Sequence, residues 1–105
     1  MQKLITMDEV LEEKFISRGW LYLREEKPTL SSVGFFYSAD LSLSPDEEKL
    51  IRAEFVKKGW KPTLSAEDIE DVISNLAEQL DGDSTKEQRL VAFQFFLDND
   101  AFIEV

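Results

Sequence analysis

The sequence predicts an α+β fold, with a small, mostly antiparallel sheet packed against about four helices in a single pair of layers. Three observations predict it. Four times a hydroxyl residue is followed three positions later by an acid, at Thr6…Glu9, Ser44…Glu47, Ser65…Asp68 and Ser84…Glu87. That spacing lets the hydroxyl accept from a free first-turn N–H while the acid reaches back, so each pair marks a helix start. Short runs rich in aromatic and β-branched residues fill the gaps between these helices, in an order that is not a regular βαβ winding. The 105 residues, 43% of them apolar, suit one domain over 1–105 with one core.

The first helix is predicted over 7–18. Met7, Val10, Leu11 and Phe15 form its apolar stripe, Glu9, Glu12 and Glu13 lie outside it, and Gly19 is placed to end it. Trp20-Leu21-Tyr22-Leu23 then reads as a strand, and Val33-Gly34-Phe35-Phe36-Tyr37 as a second. A helix follows over 45–58. Pro45 sits where its missing N–H costs nothing, Leu50, Ile51 and Phe55 make the stripe, and Gly59 ends it. Residues 60–64 read as a short edge strand that tolerates Pro62. The third helix, 65–80, lays Ile69, Val72, Ile73, Leu76 and Leu80 on one face. Asp81-Gly82-Asp83 is a turn. The fourth helix, 85–98, is apolar almost all round, which predicts the central, buried position. Residues 101–105 read as a closing strand.

One echo runs through this order. Phe15 to Trp20 resembles Phe55 to Trp60, and Pro-Thr-Leu-Ser follows each, at 28–31 and at 62–65. Two origins fit: an old duplication, or one helix-stop-then-strand device used twice.

Composition excludes several functions. Neither Cys nor His is present, which removes disulfides and the usual ligands of zinc, copper and iron–sulfur centres. No metal or other cofactor is expected. An acid arrives at Asp8 before any apolar run of signal length, and no stretch reaches membrane-spanning length. The chain is therefore expected to be cytoplasmic. The net charge of −10 disfavours nucleic acid and anionic membranes and favours a cationic partner.

No catalytic residues are expected either. A Ser nucleophile has no His beside it and no Ser-x-x-Lys occurs. The glycines at 19, 34, 59 and 82 are too scattered for a phosphate loop. A calcium loop starting at Asp81 fails, because its sixth and twelfth positions are Lys86 and Ala92.

Acid clusters are the better lead. Glu67, Glu70, Asp71 and Glu78 share the outer face of the third helix with Ser74, and Asp81 and Asp83 extend it. Glu67 and Asp71 form a like-charge i,i+4 pair, which costs a little stability. Asp46, Glu47 and Glu48 crowd the start of the second helix, where the helix dipole also favours them. Both clusters read as a solvated surface or as a docking face for a cationic partner.

Four segments carry a family resemblance: Trp20-Leu21-Tyr22-Leu23, Asp46-Glu47-Glu48, Leu64…Ile69…Val72-Ile73, and Asn99-Asp100-Ala101-Phe102-Ile103. In these the chain resembles a group of small acidic bacterial proteins, several of them encoded beside polymorphic or contact-dependent inhibition toxins. Its loop Arg24-Glu25-Glu26-Lys27-Pro28 departs from that group, which often carries an additional Trp or Pro there. The resemblance implies an immunity protein, a monomer when free, that covers a cognate cationic toxin domain such as a nuclease. Tight binding needs aromatic anchors as well as charge. Tyr22, Tyr37 and Trp60 are the candidates, with Trp20 assigned to the core. The alternatives are a general acidic interaction module that regulates another basic protein, and a small enzyme working through carboxylates.

Overall fold

The computed structural model describes residues 3–12 and 18–105. The elements run β1 (Ile5–Thr6), α1 (Met7–Leu11), β2 (Trp20–Leu23), β3 (Val33–Tyr37), α2 (Pro45–Lys57), β4 (Lys61–Ser65), α3 (Ala66–Leu80) and α4 (Lys86–Asn99). The strands form one antiparallel sheet in the order β1-β3-β2-β4. The fold is α+β, as the pattern of starts and strand runs predicts.

Strand alternation gives the sheet two faces. Leu21, Leu23 and Phe36 point to the main core, which they build with Met7, Val10, Leu11, Leu64, Ile69, Ile73 and Phe93. So α1, α3 and α4 all lie on that side. Tyr22, Phe35 and Tyr37 point to the other face. There Phe55 of α2 meets all three rings, at centroid distances of 5.2, 5.0 and 5.1 Å. Between β2 and β4 the register slips between Trp20↔Ser65 and Tyr22↔Pro62. The Thr63 hydroxyl donates to the Leu21 carbonyl at 2.7 Å, bridging the two strands where the ladder is irregular.

The capping logic holds at three of the four starts. Thr6 and Ser44 form complete capping boxes with Glu9 and Glu47. Ser65 accepts from the Asp68 N–H, but the shorter Asp side chain does not complete the box. The fourth start lies one residue later than predicted. Thr85 caps α4 and pairs with Gln88, while Ser84 accepts from Arg89 Nε instead. A Thr–Gln box matches the motif as well as Ser–Glu, and the neighbouring hydroxyl is claimed elsewhere.

Other expectations need correction. The predicted 7–18 helix is described only as far as Glu12, its C-cap, and Phe15 and Glu13 lie outside the described residues. Residues 101–105 are not a strand. Gln79 on α3 holds them instead, donating to the Ile103 carbonyl and accepting from the Val105 N–H, at 2.7 and 3.0 Å. The sheet's edges are β1 and β4, and β1 escaped the sequence pattern because two residues carry no periodicity. Helix α4 is not central. It buries Ala92 and Phe93 and leaves Val91 and Phe95 exposed, because only one side meets α3 and α1. In α2, Leu50 is 71% exposed rather than part of the stripe, and Phe55 carries the packing.

The echoed segments also part company. Pro62 to Ser65 lie in β4, whereas Pro28 to Ser31 form a loop that ends in a turn. Gly59 closes α2 with φ +91, and the Trp60 N–H bonds back to the Phe55 carbonyl at 2.9 Å. Gly19 also has positive φ, +87, but for a different reason. A Cβ there would lie 2.1 Å from the Tyr37 carbonyl oxygen, so only Gly lets β2 start against the end of β3.

Candidate functional site

Helix α3 is positioned by Ser65, which is both the last residue of β4 and the helix cap. Its apolar face, Ile69, Val72, Ile73 and Leu76, is buried against the sheet and α4. The opposite face follows from the helical period. The structure brings Glu67, Glu70, Asp71 and Glu78 together on it, all exposed, and none forms an ion pair among the described residues. Asp81, in the left-handed conformation at φ 54, and Asp83 continue the acidic run into the turn before α4. No basic residue occurs anywhere in α3. Glu78 stands near its C-terminus, where the helix dipole disfavours an anion.

The second predicted cluster divides. Asp46 is exposed. Glu47 is occupied by its capping box with Ser44. Glu48 is 8% exposed and belongs to the fold rather than to a docking face. Its Oε2 accepts from the Tyr37 hydroxyl at 2.7 Å and its Oε1 from the Asp40 N–H at 2.6 Å, with Arg52 Nε 3.9 Å away. Burial, then the hydrogen bond to Glu48 and that carboxylate's charge, raise the Tyr37 pKa to about 12. The Ser42 hydroxyl and N–H both donate to Asp40 Oδ1, which lowers the Asp40 pKa and braces the same loop.

The aromatic anchors sort differently from expectation. Tyr22 is 4% exposed and stacks on Phe35, so it is core of the second sheet face. Burial raises its pKa, against the nearby Arg52 charge. Tyr37 is half-buried, and its hydroxyl is committed to Glu48. Trp60 is half-buried, packed edge-on to Phe35 with the Arg24 guanidinium 4.1 Å above its ring. Trp20 reaches solvent, 48% exposed rather than core. Alternation along β2 carries the signal: Trp20 and Tyr22 share a face opposite Leu21, and Trp20 lies at its open end.

Charge is distributed unevenly along the chain. Residues 66–105 carry eleven acids against two bases, Lys86 and Arg89, and so hold nine of the ten net negative charges. Both bases turn towards α1. Lys86 Nζ bridges Asp8 and Glu12 at 2.8 and 2.7 Å, and those two carboxylates, Asp8 foremost, raise its pKa. Arg89 donates to the Leu11 carbonyl and to Ser84. The outer surface of the α3–α4 half is thus left with almost no cation of its own.

Among the described residues no helix is long and apolar enough to cross a membrane, and no three carboxylates are grouped to hold a metal ion. The family model described as a domain of unknown function, DUF7716, matches residues 4–105. No curated protein and no solved structure matches the chain.

Proposed function

We propose that this chain, which belongs to the DUF7716 family, binds a cationic protein rather than catalysing a reaction, and does so as a cytoplasmic immunity protein for a toxin domain. The observation that carries the first half is the outer face of α3. Glu67, Glu70, Asp71 and Glu78 stand exposed there without cationic partners among the described residues, in the part of the chain, residues 66–105, that holds nearly all the net charge. Such a field speeds encounter with a basic surface and orients it before contact. Nucleases carry basic surfaces because they hold phosphates, and an acidic face competes for that surface directly. The second half rests on the resemblance carried by Trp20 to Leu23, Asp46 to Glu48, Leu64…Ile69…Val72-Ile73 and Asn99 to Ile103.

The test is binding to the C-terminal domain encoded by the adjacent upstream gene, at two salt concentrations, paired with growth of cells that make that domain. Nanomolar, salt-sensitive binding and restored growth are expected. Binding without rescue of growth would retain the cationic partner and remove the immunity role. Combined charge reversal at Glu67, Glu70 and Asp71 is expected to slow association roughly tenfold at low salt, with a smaller effect on dissociation. An unchanged association rate would remove α3 from the docking face.

A further inference from the structure

Beside the acidic face lies an apolar groove that the fold does not fill. Leu76 and Leu80 of α3, Val91 of α4, and Ile103 and Val105 of the closing segment line about 290 Å³ of open space, with Glu87 at its edge. Val91 is 53% exposed, and Val105 is also open to solvent. Gln79 straps residues 103–105 alongside α3, where Ile103 packs on Val72, Leu76 and Ala92 and forms one side of the groove.

Its surroundings carry one sign of charge. Glu87 is on the wall, Glu104 stands between two lining residues, and Asp81 and Asp83 form the turn that joins the two helices. No Lys or Arg occurs in 66–85 or in 90–105, and the two bases between them face α1. We infer that this groove anchors the cationic partner, receiving an apolar side chain from a segment flanked by Lys or Arg. The inference rests on the reading of α3 as a face for a cationic protein. Charge complementarity selects that occupant. A second copy of this chain would bring an equally acidic half against the first, and the two would repel. An apolar side chain in the groove supplies a desolvated centre, and the acids around it form the charged rim.

The probes are two acetylated, Lys-rich helical peptides of identical composition. One carries two Leu a single turn apart; its isomer carries them on opposite faces. At low ionic strength the first is expected to bind about tenfold more tightly, as apolar burial of this size would give. Val91→Asn is expected to abolish that margin and leave the isomer's affinity unchanged, while Leu50→Asn on α2 changes neither. In the unaltered protein, the methyl resonances of Val91 and Val105 are expected to shift with the first peptide and not with the isomer. This second readout is independent of how the variant folds. Equal affinities and unshifted methyls would overturn the groove and leave the acidic face standing. Binding of neither peptide would overturn both. Self-association that Val91→Asn abolishes would reassign the groove to a second copy.

Discussion

Glu48 is one of three successive acids at the start of α2, yet it alone turns inward. Charge and helix position explain all three equally, so nothing local distinguishes it. What distinguishes it is Tyr37, eleven residues earlier, whose hydroxyl finds Glu48 only once β3 and α2 are in place. The same tertiary choice moves Tyr22 from candidate anchor to core and Trp20 from core to surface. The bond also makes a pH prediction. Tyr37 has its pKa raised to about 12, above the ordinary 10.0, so the folded state favours the neutral phenol. Its contribution to stability is complete below pH 10 and is lost as pH rises through that value towards 12. Tyr22 is shifted the same way. Less than half of the phenolate absorbance is therefore expected at pH 10, the rest appearing above it or on unfolding. Two ordinary titrations centred on pH 10 would contradict the assigned environment. Tyr37→Phe is expected to cost about 1–2 kcal/mol in urea denaturation, because it takes a donor from a buried carboxylate.

At the scale of elements, what was legible followed from local chemistry. Caps at Thr6, Ser44 and Ser65, the apolar period of α3 and the glycine stop of α2 all act within a few residues, and each reads off the sequence. The burial of α4 and the fate of 101–105 depend on which neighbours arrive, and no periodicity encodes that. The two echoed glycines show the difference. Gly59→Ala has open space around the new Cβ and is expected to cost only the left-handed backbone term, about 1–2 kcal/mol. Gly19→Ala meets the Tyr37 carbonyl as well and is expected to cost more than about 3 kcal/mol, or to prevent folding. Equal losses in thermal or urea unfolding would contradict the different roles assigned to the two glycines. Helix α3 supplies a prediction of opposite sign. Glu78 opposes the helix dipole, so Glu78→Gln is expected to stabilise the protein by about 0.3–1 kcal/mol while weakening partner binding. A variant less stable than the parent would remove the argument that this face sacrifices stability for another purpose.

At the scale of the molecule, the acids divide the chain into two unequal parts. Residues 3–65 nearly balance their charges and build the sheet and its second face. Residues 66–105 hold the excess of acid, and the groove between α3 and α4. The net charge and the α3 stripe were legible as composition and period. The groove was not, because it depends on where Gln79 holds the closing segment. We propose that this acidic part is a docking surface for a cationic protein. The most direct test is association with the C-terminal domain encoded immediately upstream, measured at low and at physiological salt. Nanomolar binding is expected, weakening as salt rises and forming more slowly on charge reversal at Glu67, Glu70 and Asp71. Absence of binding at low salt, or binding indifferent to both salt and those residues, would contradict it.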